Sequence, residues 1–175
     1  MKKIYFILVI LLIFSGCLGK RETIPPKGNL DGFLDIVWEN NLTYTEAKLN
    51  ENGFRIRHSS KDSIMAEGKF IGKDVDLFLL FFNDRFYTVS VDFRGKNSLY
   101  EYNELNGLLI EKYGKPNINP KKNSDLLMTV WKFDNNCSIT TTFFVDLNSV
   151  NVSYSNGVIY DEKEELKKNQ NLNDL

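Results

Sequence analysis

Few side chains in this 175-residue chain can make or break bonds, and they are scattered. There is one histidine, His58, and there are two cysteines, Cys17 and Cys137. A thiol beside an imidazole is the smallest arrangement that would give a cysteine nucleophile. His58 and Cys137 lie far apart in sequence, each in a strand-like run without a nucleophile motif. His58 continues the alternation Phe54, Ile56, His58, which predicts a packed or rim residue on that strand face. Cys137 opens a later strand-like run and is expected to be a small, half-buried residue. Asp74, Asp76 and Asp92 are the carboxylates that could form an acid–base or cation-binding cluster. They fall at strand ends or exposed strand positions, where solvated edge charge is the expectation. Gly-x-Gly-x-x-Gly, a Walker loop, His-Glu-x-x-His and Gly-x-Ser-x-Gly are absent from the sequence. Cysteine pairs spaced for zinc are absent too. The sequence therefore predicts no catalytic residue, no metal ligand and no cofactor.

Cys17 reads differently because of what precedes it. Lys2-Lys3 is followed by an uncharged apolar run from Ile4 to Phe14, then by Ser15-Gly16-Cys17. A positive start, an apolar stretch and small residues make the tripartite pattern of an export signal. The run Ile4–Phe14 spans roughly 16 Å as a helix. That is about half of a hydrocarbon core roughly 30 Å thick, and Lys20-Arg21 close off any extension. Phe14-Ser15-Gly16-Cys17 resembles the bacterial lipobox, with Phe where Leu is usual at its first position. The resemblance implies cleavage between Gly16 and Cys17, thioether lipidation of Cys17 and acylation of the new amino terminus. More than one acyl chain would anchor the mature chain stably without spanning the membrane. Leu18, not Asp, follows the cysteine, which by resemblance to sorted lipoproteins implies the outer membrane in a double-membrane bacterium. Cys137 is then left without a disulfide partner.

Composition agrees with a folded domain. Hydrophobic residues make up 42% and charged residues 26%, which is globular rather than disordered or fibrous. The net charge of −1 gives no basic field for nucleic acid. Aromatics are the enriched class at 13%, with Phe78, Phe81, Phe82, Phe86 and Tyr87 gathered around one hairpin signal.

The elements that must position these residues follow from periodicity and turn chemistry. Residues 17–30 carry Pro25-Pro26 and Gly28 and read as a semi-extended tether. Thr43-x-x-Glu46 reads as a capping box for a short helix over about 44–52 that stops at Gly53. Four strand-like runs follow, the third being Val75 to Phe82. That run is almost wholly apolar, which predicts a central strand covered on both faces. Asn83-Asp84 is a hairpin turn signal. Ser98 and Glu101 cap a second helix whose stripe is Leu99, Tyr102, Leu105, Leu109 and Tyr113. Gly114 and Pro116 end it. Three further strand-like runs occupy 126–133, 137–145 and 150–154. The charged segment 158–175 reads as a tail or short helix beyond a single domain over 31–157.

The order helix, four strands, helix, three strands predicts an α+β fold. Its sheet would be an antiparallel meander of six or seven strands with two main helices, with a hint of a duplicated helix-plus-hairpins unit. This order resembles small helix-and-sheet modules of the β-lactamase inhibitor proteins and of small outer-membrane assembly lipoproteins. Trp38 and Tyr113-Gly114-Lys115-Pro116 resemble a Trp-led first helix and a Tyr-Gly-x-Pro helix end found in other bacterial proteins. These readings together suggest a lipid-anchored, non-enzymatic envelope protein. Its interaction face would include Phe78, Phe82 and Phe86, and its partner would be another envelope protein. Two alternatives are a hydrophobic-ligand or lipid-binding module with a pocket lined by Phe78, Phe81 and Tyr87, and an inhibitor of an extracellular enzyme.

Overall fold

The computed structural model describes residues 28–96, 98–118 and 125–173. Gly16, Cys17 and Leu18 lie outside the described residues. Two short paired strands come first, β1 (Gly32–Phe33) and β2 (Ile36–Val37), and helix α1 (Leu42–Glu51) follows. Four strands form a meander: β3 (Arg55–Ser60), β4 (Ser63–Phe70), β5 (Lys73–Phe82) and β6 (Arg85–Phe93). Helix α2 (Leu99–Tyr113) leads to β7 (Leu126–Lys132), β8 (Cys137–Phe144) and β9 (Ser149–Asn156), and α3 (Gly157–Asn173) ends the fold. The seven long strands make one antiparallel sheet in the order β3-β4-β5-β6-β9-β8-β7. The fold is α+β, with helix-then-meander occurring twice and the two meanders joined where β6 meets β9.

Asn41, not Thr43, caps α1. Its side-chain oxygen accepts the Tyr44 N–H at 2.9 Å, and the Leu42 N–H is taken by Asp84 from the β5–β6 turn. The partners lie outside the Thr43-x-x-Glu46 pattern, so the helix starts one turn edge earlier and Thr43 joins its body. α2 matches its expected start, with Ser98 and Glu101 forming the reciprocal capping box. Tyr102, Leu105 and Leu109 are buried while Leu99 is exposed. The third helix is longer than the expected tail or short helix. The Asn156 side chain accepts the N–H groups of Val158 and Ile159, and Ile159 is buried. Gly157 is required at this junction, because a Cβ there would sit 2.2 Å from the Asn136 carbonyl oxygen. The end of the expected tether is docked as well: Leu30 is buried and the Gly28 N–H donates to Asp134 at 2.9 Å.

One continuous core lies on one face of the sheet. It takes Phe33 and Trp38 from the first segment, Leu49 from α1, and Tyr102, Leu105 and Leu109 from α2. Strand β5 supplies Val75, Leu77, Leu79 and Phe81 to it. The alternate residues are not covered in the same way: Phe78 is exposed, and Asp76, Leu80 and Phe82 are half-buried. The apolar run Val75–Phe82 is thus central in the sheet but covered on one face, which corrects the two-faced expectation. The second face stays open because α1, α2 and the β1–β2 pair all contribute to the same core.

Candidate functional site

The open face is organised by register. His58, Met65, Phe78, Ser90, Ser153, Thr140 and Val130 are successive partners across all seven strands. A neighbouring row runs Arg55, Glu67, Asp76, Asp92, Asn151, Thr142 and Met128. A third runs Ser60, Ser63, Leu80, Thr88, Ser155, Ser138 and Lys132. Apart from Asp92, hydroxyl and amide side chains therefore fill the β6–β9–β8 part of the face. Apart from Ser60 and Ser63, apolar, charged and imidazole side chains fill the β3–β4–β5 part.

His58 reaches this face through a bulge. Ile56 pairs with Ala66, and the next registered pair is His58 with Met65, so Arg57 is the extra residue. One inserted residue reverses the alternation, and His58 leaves the Phe54–Ile56 side predicted for it. Cys137 is buried on the core side of β8. Four strands separate β8 from β3, so the structure does not bring Cys137 and His58 together. Burial pushes the Cys137 thiol above its ordinary range, which further removes it from thiolate chemistry.

Asp76 and Asp92 are not edge charges. They are direct register partners on β5 and β6, inside the sheet. The Arg94 Nε–H donates to Asp76 at 2.9 Å, and Arg57 approaches the same carboxylate at 3.3 Å. Arg94 holds the Asp76 carboxyl below its ordinary range, against the raising effect of burial and with Arg57 assisting. Glu67 pairs with Arg55, Arg57 and Arg94. Asp92 accepts from Asn151 Nδ2, which also donates to Ser90 Oγ, both at 2.6 Å.

Between these rows lies an open trough of about 450 Å³, lined by Arg57, His58, Met65, Asp76, Phe78 and Asp92. Phe78 is 36% exposed and Met65 47%, so the trough has an apolar floor. Among the described residues no group of three potential metal ligands is present.

The aromatic residues singled out from the sequence separate. Phe78 belongs to the trough. Phe82 is half-buried near α3, where its register partner Arg85 is paired with Glu162 at 2.7 Å. Phe86 is fully buried against Trp38 and Phe81, with centroids 4.9 and 5.9 Å away. Phe86 is a core residue and leaves the candidate face; the break in register between Leu80 and Phe81 turns it inward. Phe81 is likewise on the core side, and the Tyr87 hydroxyl accepts from Lys163 Nζ at 2.6 Å. Phe78, Phe81 and Tyr87 therefore do not line a common pocket. No local pattern in the sequence groups Met65, Arg57, Arg94 and Asn151 with Phe78; only strand register unites them.

The domain is thus a helix-backed, open-faced antiparallel sheet. No family model, no curated protein and no solved structure matches the chain.

Proposed function

We propose that this chain is a lipid-anchored, non-enzymatic protein of the bacterial cell envelope. It works by binding another envelope protein through the open face of its sheet. The anchor reading rests on Phe14-Ser15-Gly16-Cys17 behind its apolar run. Cys17 would carry the lipid and hold the domain outside the cytoplasm, on the outer membrane where there are two. The binding reading rests on one observation: Phe78 and Met65 stand exposed in mid-sheet while the opposite face is packed core. An apolar centre within a polar surround is the anatomy of a protein interface.

Two experiments test the two halves separately. Replacing Cys17 with Ala should release the protein from membranes; continued partitioning would rule out the lipid anchor. A photo-crosslinking residue at Phe78 should form a discrete protein adduct in cells. The same residue at Tyr100, 74% exposed on α2, should not. Equal adducts at both positions, or none at Phe78, would count against the face.

A further inference from the structure

We infer that the trough on β3–β6 is a saccharide-binding site, fitted to a flat, uncharged β-1,4-linked pyranose chain. This goes beyond the protein-partner reading and depends neither on it nor on the anchor.

The trough offers two kinds of surface. Its floor is apolar, from Phe78 and Met65, and its walls are planar hydrogen-bonding groups: the Asp76 and Asp92 carboxylates, the Arg57 guanidinium and the His58 imidazole. The two carboxylates are held in place before any ligand arrives. Asn151 bridges Asp92 and Ser90, and Arg94 and Arg57 hold Asp76. Fixed polar groups need not be ordered on binding, which removes a main cost of association.

Charge then selects among ligand classes. Arg57 and Arg94 are both already engaged by carboxylates. An anionic ligand would have to displace those carboxylates and would face Asp92, which has no ion-pair partner among the described residues. A small cation would have Asp92 alone, and a single exposed ion pair is weak. An acyl chain would lie against Arg57, His58, Asp76 and Asp92 and satisfy none of them. A neutral polyhydroxylated ring fits both surfaces. Its C–H face is apolar and can lie on Phe78 and Met65. Its hydroxyl edge can donate to Asp92 and Asp76 and accept from His58. The volume of about 450 Å³ is within the range of roughly 300–1,000 Å³ usual for small-ligand sites.

The register sharpens the class. Three side-chain rows cross neighbouring strands side by side, so the floor of the trough extends along the sheet face. A β-1,4 chain with equatorial linkages is an extended ribbon with C–H faces and hydroxyl edges. An α-1,4 chain curls and cannot keep successive rings on such a floor.

The test uses the full chain, purified in a detergent without a sugar headgroup. Cellotetraose, chitotetraose and maltotetraose are titrated by calorimetry and by amide NMR. At least one β-1,4 tetramer should bind saturably and shift the amides of Met65, Phe78 and Asp92. Phe78→Ala and Asp92→Ala should each weaken that binding about tenfold or more. Tyr100→Ala should leave it unchanged. Binding that survives both trough variants overturns the inference, as does maltotetraose binding equally well. No saturable binding of any tetramer at millimolar concentration overturns it also. If Phe78→Ala disturbs the fold, as seen by circular dichroism, the Asp92→Ala result decides. A protein adduct at Phe78 in cells without any oligosaccharide binding would leave the protein-partner reading standing and remove this one.

Discussion

The indole nitrogen of Trp131 donates to the carbonyl oxygen of Gly114 at 2.8 Å. This bond ties the end of α2 to the inner face of β7. Trp131 is fully buried, and Gly114 has φ +81°, a conformation that suits glycine. Its own N–H still reaches back to the Ile110 carbonyl at 2.9 Å. Trp131→Phe would remove the donor, strand a polar group and leave a void. The expected loss is about 2–3 kcal/mol of unfolding free energy. Urea titration should show a lower midpoint with an unchanged slope; an unshifted midpoint would show that the bond contributes nothing.

Thr45 lies within α1 with no exposed surface, and its hydroxyl finds no partner among the described residues. A buried polar atom without a partner costs about 1–3 kcal/mol. Thr45→Val keeps the shape and the β-branching while deleting the hydroxyl, so it should stabilise the protein by about 1 kcal/mol. A thermal melt that fell instead would mean that the hydroxyl is satisfied in solution.

What the sequence made legible divides along physical lines. Turn and cap chemistry is local, and it located most elements. Asn83 and Asp84 both adopt positive φ between β5 and β6, as a two-residue hairpin requires, and Ser98 with Glu101 caps α2. Coverage of a face is not local. The run Val75–Phe82 looks two-sided in sequence, yet both main helices settle on one side of it. The bulge at Arg57 is also silent in the sequence, and it alone carries His58 across the sheet. The trough joins β3, β4, β5 and β6, and its members become neighbours only through register. Asp76 and Asp92 were visible as carboxylates, but their pairing was not. The start of α3 depends on Asn156 and Ile159 docking near β8, a tertiary effect that a charged segment hides.

Cys137 gives a direct readout of core opening. It is 1% exposed, and burial raises its thiol pKa. A buried neutral thiol is a poor nucleophile. Alkylation at pH 8, followed by mass spectrometry of the peptide containing Cys137, should be slower in the native protein than in urea by about a thousandfold or more. Rapid native labelling would mean that β8 opens locally at its Cys137 end. Trp131→Phe should accelerate native labelling and Thr45→Val should retard it, provided that Cys137 exchanges through global unfolding.

The charge ladder on the open face sets the acid limb of stability. Arg94, hydrogen-bonded to Asp76, holds that carboxyl below its ordinary value of 3.8 in the folded chain. The unfolded chain binds the proton more readily, so the folded state is favoured wherever the carboxylate is ionised. This contribution is fully present above about pH 4–5 and is lost as pH falls through the lower folded value. Lys73 acts in the same sense on Glu101, whose ordinary value is 4.5. Asp76 is 43% exposed and Arg94 39%, so solvent screens the pair and its worth is small. Asp76→Asn should therefore lower the urea midpoint at pH 6 and flatten its fall between pH 4 and pH 2 (pH values of the assay). At the lowest pH the variant and the parent should converge, because the parent has then lost the charge as well. Added salt should shrink the difference at pH 6. A constant gap between the two proteins across the whole range would show that Asp76 acts by packing and not by charge.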